Sequence, residues 1–539
     1  MRRIGACSLV ASFALLGCGQ RPAFWDAPIE NAQPYALADA VAVTDPSANR
    51  VVLLTTDAAR QVREQFVPIQ RGFRTATLAP DRSKLFVVSA GDGGKRPPAG
   101  QRAQAPALEI VTTAAAGRTA YPLSEALDGL ALDPRGQWAV LYAGDASTEL
   151  VSNPNELLLV DLTQPPAPGV NPVSHTLRSF GGKPERFTFT EPLELPGGTR
   201  RLLIVETEQD VAVVDLLQPA SPEITIQLSS GQDTTPAHPQ GVTVSDGDPG
   251  PNDARIAIRE DDSNVVVATF LPATDRDFSP ELNLTAVGGV PSDMAWVRTD
   301  AGALSLAVLV PPAGNAVLVD PGTGLTQDVT LPTAYSRLSL VTAQSGESAS
   351  TGAAPVDVAL LWNGSSGGNG GVAFWELGRV AGRPYRSVET VGVTAGVMSV
   401  TDVGGAHPEL KILGTRQQTF FLLDLQARTA APFVTSSSSV SLLPSTTGDR
   451  AWAYVQGSSA LATVDLVTLH PQDMRDERSI SSLFEIAAAD DPAHAARSLV
   501  ALTQAGTWGA TIYDAAAVAG ADDHTAVSGI LLEGTNATP

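Results

Sequence analysis

Cysteine is almost missing: two residues in 539, Cys7 and Cys18, both near the start of the chain. That leaves no framework for disulfides and no thiolate cluster for a structural metal. Positive charge is also scarce, with 35 basic against 57 acidic residues. Such a surface repels nucleic acid and anionic headgroups and favours neutral or cationic partners. Aromatic residues make up only 5% of the chain, so any core must be aliphatic. Past the first twenty residues, no apolar run approaches the ~20 residues that a membrane-spanning helix needs. The six histidines stand singly, with no H-x-H or H-E-x-x-H, so no zinc motif is visible.

The first residues read MRRIGACSLVASFALLGCGQ. Arg2 and Arg3 precede a short apolar run, Ile4 to Leu16, of secretory-signal length. Leu15-Leu16-Gly17-Cys18 resembles the lipobox of bacterial lipoproteins. That resemblance implies cleavage before Cys18, acylation of Cys18, and a chain held to the membrane by its fatty acids alone. Two or more acyl chains anchor stably where one does not. Gly rather than Asp at position 19 implies sorting to the outer membrane, on one face or the other. On this reading 1–17 is a signal peptide, and loss of its two arginines leaves 33 basic against 57 acidic residues, a net of −24. Residues 18–36, proline-bearing and without periodicity, read as a tether, and 37–539 as the folded body.

The body repeats itself. TLAPDRSKLFVVSAGD at 77–92 returns as LALDPRGQWAVLYAGD at 130–145. A β-branched and aliphatic strand recurs ten times, closing at Asp57, Thr112, Asp161, Asp215, Thr269, Asp320, Glu376, Asp424, Asp465 and Asp514, at intervals of 41 to 56 residues. Within a unit four short strands follow in order, as in RFTFTEP, RLLIVETE, DVAVVDLLQ and PEITIQL, with Gly, Pro, Asp and Asn between them. Four-stranded antiparallel sheets at a fixed period are the blades of a β-propeller, and the chain is expected to be all-β. Ten units are present, for a ring of eight to ten blades. LAPDRSKLFVVSAGD and LALDPRGQWAVLYAGD resemble the YVTN-type, WD-like propeller repeat. That resemblance implies a fold and leaves function open. Unit 1 is short of a first strand, which TAVSGILLEG at the far end would either supply or leave wanting by finishing unit 10.

With strands A to D running outward from the axis, B–C and D–A loops share one face. The B–C loops of units 2 to 5 offer an acidic arc: Asp92, Asp145, Glu206 with Glu208, and Glu260 with Asp261 and Asp262. Such an arc suits Ca²⁺ or a basic peptide, and the turn preference of Asp and Glu accounts for the same residues with no ligand. Lys95, Arg96 and Arg102 interrupt it. SDGDPGPNDA places Asp246, Asp248, Asn252 and Asp253 together, a weaker calcium candidate without the EF-hand order, on the opposite face. Gly364-Ser365-Ser366-Gly367-Gly368 matches G-x-S-x-G, but a strand follows where a nucleophile elbow needs a helix. No catalytic set emerges. Two functions remain: a lipid-anchored, non-catalytic binding or scaffolding protein of the cell envelope, serving envelope proteins or a small ligand, or a propeller enzyme, lactonase-like or quinone-dependent, working at the channel mouth.

Overall fold

The computed structural model describes residues 32–531, apart from loop stretches of which 145–150, 229–235, 246–253, 343–356, 365–370, 378–385 and 517–523 are the longest. Ten four-stranded antiparallel sheets follow one another along the chain. Their spans are 33–68, 73–122, 129–176, 184–227, 239–286, 293–330, 337–391, 397–433, 441–480 and 482–528. In each the order is a simple meander, A-B-C-D. Blade 4 carries an extra two-stranded hairpin, Leu193–Leu195 with Gly198–Arg200, between its A and B strands.

Period-two side chains explain how the sheets close into a ring. Strand C of blade 1, Arg50–Thr56, is buried along its whole length. Its Val52 and Leu54 pack on blade 10, while Val51 and Leu53 pack on blade 2. The same division recurs in blade 4, where Leu202 and Ile204 face blade 5 and Leu203 and Val205 face blade 3. Ten apolar clusters result, one at each blade junction, including that of blade 10 with blade 1. Each fully buried Val or Leu contributes up to about 1.5–3 kcal/mol, so stability is spread around the ring.

The Asp that ends strand C has a local job. Asp161, Asp215, Asp320, Asp424, Asp465 and Asp514 each accept a backbone N–H two residues on, at 2.8–2.9 Å. These are Asx turns that start the C–D loop. The repeat signature is therefore turn chemistry.

Two expectations need correcting. Unit 1 is complete: Gln33–Ala36 pairs with Ala40–Asp45, so the last four residues assigned to the tether are the first inner strand. His524–Ser528 finishes blade 10. Among the described residues no blade is shared between the chain ends, and the junction closes by other means. Ile530 and Leu531 are buried in the cluster between blades 10 and 1. Arg50 Nη2 donates to the Leu531 carbonyl at 2.6 Å. Ala487 N–H donates to Ala38 O, and Ala489 N–H to Thr56 O, both at 2.8 Å.

Candidate functional site

Inner strands begin, and B strands end, on the face that carries the B–C and D–A loops. Four inner strands carry a β-bulge at this end, in blades 2, 4, 5 and 8. The unpaired residues are Arg74, Glu185, Gln240 and Met398. Bulges bend a strand and re-aim its side chains, so this rim of the channel is locally irregular where the other end is not.

Across blades 4 to 7 the rim is laced by arginines. Arg186, near the start of strand A of blade 4 (Pro184–Phe189), gives its Nε to Glu206 Oε2 at 3.0 Å and its Nη2 to the Pro239 carbonyl at 2.7 Å. Arg259, in strand B of blade 5 (Arg255–Glu260), donates to Gln240 O at 2.5 Å and to Pro291 O at 3.1 Å. Gly241 makes room for it: a Cβ there would stand 3.1 Å from Arg259 Nη2. The bulge at Gln240 frees the carbonyl that Arg259 takes. Asp293, which opens strand A of blade 6, accepts the N–H of Met294 and that of Leu338 in blade 7, both at 3.0 Å. Beside Leu338 stands Arg337, exposed. Burial lowers the basicity of Arg259, and the like charges of Arg186 and Arg337 lower it further against Asp293 and Glu206, which raise it.

The residues of the expected acidic arc take separate roles. Asp92 receives Arg71 through two hydrogen bonds of 2.8 Å and the Gln104 N–H at 2.7 Å. The Arg71 contact holds its carboxyl below the usual carboxylate range. Asp92 is thus answered by Arg71; Arg96 and Arg102 give it no side-chain bond, and Lys95 lies outside the described residues. Glu206 and Glu260 belong to strands rather than loops and are buried, at 3% and 1% exposure. Burial pushes both carboxyls up, Glu260 to about 7. Glu260 Oε1 has no hydrogen-bond partner, and the Asp262 carboxyl, bonded to it, raises its pKa further. Glu208 and Asp261 are joined through His238, whose Nδ1 donates to Glu208 O at 2.5 Å and whose N–H donates to Asp261 Oδ1 at 3.0 Å. Asp145, Asp246, Asp248, Asn252 and Asp253 lie outside the described residues. Among the described residues, no three of His, Cys, Asp and Glu stand close enough to hold a metal ion.

Neither a known protein family nor a curated protein matches the chain. Among solved structures, it is similar to the dihydro-heme d1 dehydrogenase NirN in complex with DHE, at 13% identity, 74% coverage of both chains and a TM-score of 0.41. It is also similar to Sqt1 of Saccharomyces cerevisiae, at 15% identity, covering 72% of this chain and 96% of that one, with a TM-score of 0.41. A third likeness, to BBS1N in complex with ARL6DN, has 11% identity, covers 67% of this chain and 91% of that one, and scores 0.32. Resemblance at this level decides neither family nor activity. The fold rests on the sheets and their ten shared clusters.

On the opposite face lies an open cleft of about 670 Å³ between blades 3 and 4. Trp138, Pro165, Val170, Pro192, Leu216, Leu217 and Pro219 supply its apolar wall, and Val170 and Leu217 are 69% and 63% exposed. Its two cations are already answered: Arg201 pairs with Asp133 at 2.7 Å and Arg200 with Asp277 at 2.9 Å. Trp375 and Trp452 are packed between blades, as strand tryptophans should be. The rim arginines carry almost no signature in the sequence. Their only signal was an Arg at the ends of strands A and B in several units.

Proposed function

We propose that this chain is a lipid-anchored protein of the bacterial cell envelope, moored through Cys18 at the outer membrane, whose ring serves as a non-catalytic binding or scaffolding surface. The observation that favours binding over catalysis is the engagement of the rim carboxylates. Asp92 and Glu206 are held in ion pairs with Arg71 and Arg186, and Asp261 and Asp262 accept backbone N–H groups. Groups committed this way position the rim and are poor proton carriers. One observation favours the second reading, a lactonase-like or quinone-dependent propeller enzyme: a carboxyl near neutrality, as at Glu260, is suited to general acid–base work. At 1% exposure, however, Glu260 is shut off from a substrate in the channel.

The mooring is tested by fractionating cells that make the full chain. Wild-type protein is expected with the outer membrane, its N-terminal peptide carrying acyl mass on Cys18, and Cys18→Ala in the soluble fraction. A wild-type N-terminal peptide with bare Cys18 sinks the mooring. Crosslinking in intact envelopes then tests the binding role, with a discrete partner or ligand adduct at the rim as the expected result.

A further inference from the structure

We infer that Arg186, Arg259 and Arg337 form an oxyanion site at the channel mouth, which takes the phosphate or carboxylate end of a small ligand. This names a ligand class for the binding surface proposed above and rests on that reading.

The chain has 57 acidic residues for 35 basic ones, so counter-ions are plentiful and an arginine without one is a placement rather than a shortage. Among the described residues, the Arg337 guanidinium makes no hydrogen bond and no ion pair. Its stem and Nε lie over Gly364, where a Cβ would stand 2.9 Å from Arg337 Cγ and 3.3 Å from Nε, and the residue is exposed at the mouth. The two carboxylates that act on Arg259 are spoken for. Glu206 is bonded to Arg186, and both oxygens of Asp293 receive backbone N–H groups. Arg186 is ion-paired, Arg259 is held by two carbonyls, and Arg337 is the guanidinium left without a bonded partner among the described residues.

Arg186 and Arg259 are fixed in advance, bonded to the carbonyls of the consecutive residues Pro239 and Gln240 on either side of the bulge. Their side-chain entropy is already lost before a ligand arrives, which favours affinity. Arg337 keeps its freedom and can swing onto the anion. A guanidinium presents its N–H groups in a planar fork that fits carboxylate and phosphate. The exposed carboxyl of Glu185, which acts on Glu206, and the exposed Asp262 beside the buried Glu260 border the site. They admit a single anionic group and repel a polyanion, as does the acidic surface as a whole.

The probe is inorganic phosphate, added to the purified protein and followed by titration calorimetry and by the rise in melting temperature that ligand binding to the folded state produces. Wild-type protein is expected to bind with an affinity that falls as salt is raised. Arg337→Gln, at an exposed position where the fold tolerates change, is expected to weaken binding about tenfold or more with an unchanged circular dichroism spectrum. Sedimentation of the Cys18→Ser chain with phosphatidylglycerol vesicles, against phosphatidylcholine, distinguishes the source of the anion. Pelleting that Arg337→Gln abolishes supports a lipid phosphate; phosphate binding without pelleting supports a soluble ligand. Absence of phosphate binding, or binding that Arg337→Gln leaves unchanged, overturns the site. Failure here, with Cys18→Ala still released from membranes and a rim partner still crosslinked, removes the site alone. Turnover of a substrate at the rim would remove the non-catalytic reading and leave the site standing.

Discussion

Replacing Arg50 with Ala is expected to lower stability by about 3–5 kcal/mol, the usual cost of removing one partner from a buried ion pair. Arg50 is 6% exposed and its partner Asp45 is 1% exposed, with Nε–Oδ2 at 2.9 Å. The guanidinium also stacks over Phe66, 4.8 Å from the ring centre, and holds the Leu531 carbonyl. The substitution therefore leaves a buried carboxylate uncompensated and unlatches the chain end that seals blade 10 to blade 1. Urea and thermal unfolding check the magnitude, and limited proteolysis checks the location, since cleavage near the C-terminus should accelerate first. Arg102→Ala is the control: its exposed side chain should change stability by no more than about 0.5 kcal/mol. A variant at Arg50 that behaves like the one at Arg102 would show that the ring closes without this latch.

That latch was hidden from the sequence, and the reason is physical. Repetition of Val, Leu and Ile at period two, ended by Asp, is a local pattern, and each blade writes it within about fifty residues. Ten units could be counted from it, and each is a blade, because a meander pairs neighbours in the chain. Closure draws on contacts between the two ends of the ring, such as Arg50 with Leu531 and Ala487 with Ala38, which no local pattern encodes. The first strand was missed because Gln33-Pro34-Tyr35-Ala36 carries a proline and four residues show no periodicity. The hairpin at 193–200 was missed because LELPGGTR offers two strands of only three residues each.

The rim shows the same division. The acids that follow Glu206 and Glu260 give both the look of loop carboxylates, but LLIVET and RIAIRE run on as strands to those residues and bury them. A charge pattern alone does not reveal which carboxylates an arginine already holds. Arg186, Arg259 and Arg337 lie 73 and 78 positions apart in the chain, and only the ring brings them to one arc. Turn preference explains most of the acidic residues, as Asp161 and its equivalents demonstrate.

Glu260→Gln is expected to change how stability depends on pH. The glutamate ionises near 4.5 in an unfolded chain and at about 7 in the ring, chiefly because it is buried, with Asp262 and Asp261 adding like charge. Between those two values the folded protein keeps a proton that the unfolded chain has released. Stability then falls with rising pH at about 1.4 kcal/mol per unit. Over the whole interval the loss reaches about 3 kcal/mol, and above pH 7 it grows no further. Glutamine keeps the shape, can still donate to Asp262 and cannot ionise. The variant should match wild type near pH 4.5 and exceed it by about 3 kcal/mol at pH 8. Carboxyls not coupled to Glu260 act on both proteins alike: Glu109 and Glu206, raised by burial, share the sign of Glu260, while Asp92 and Asp133, held low, contribute stability that is lost only as pH falls through the acid range. The difference between the two unfolding profiles therefore isolates Glu260 together with the carboxylates coupled to it, Asp262 and Asp261. A difference that stays flat from pH 4.5 to 8 would mean that this carboxyl ionises normally and that the rim holds no proton at its buried edge.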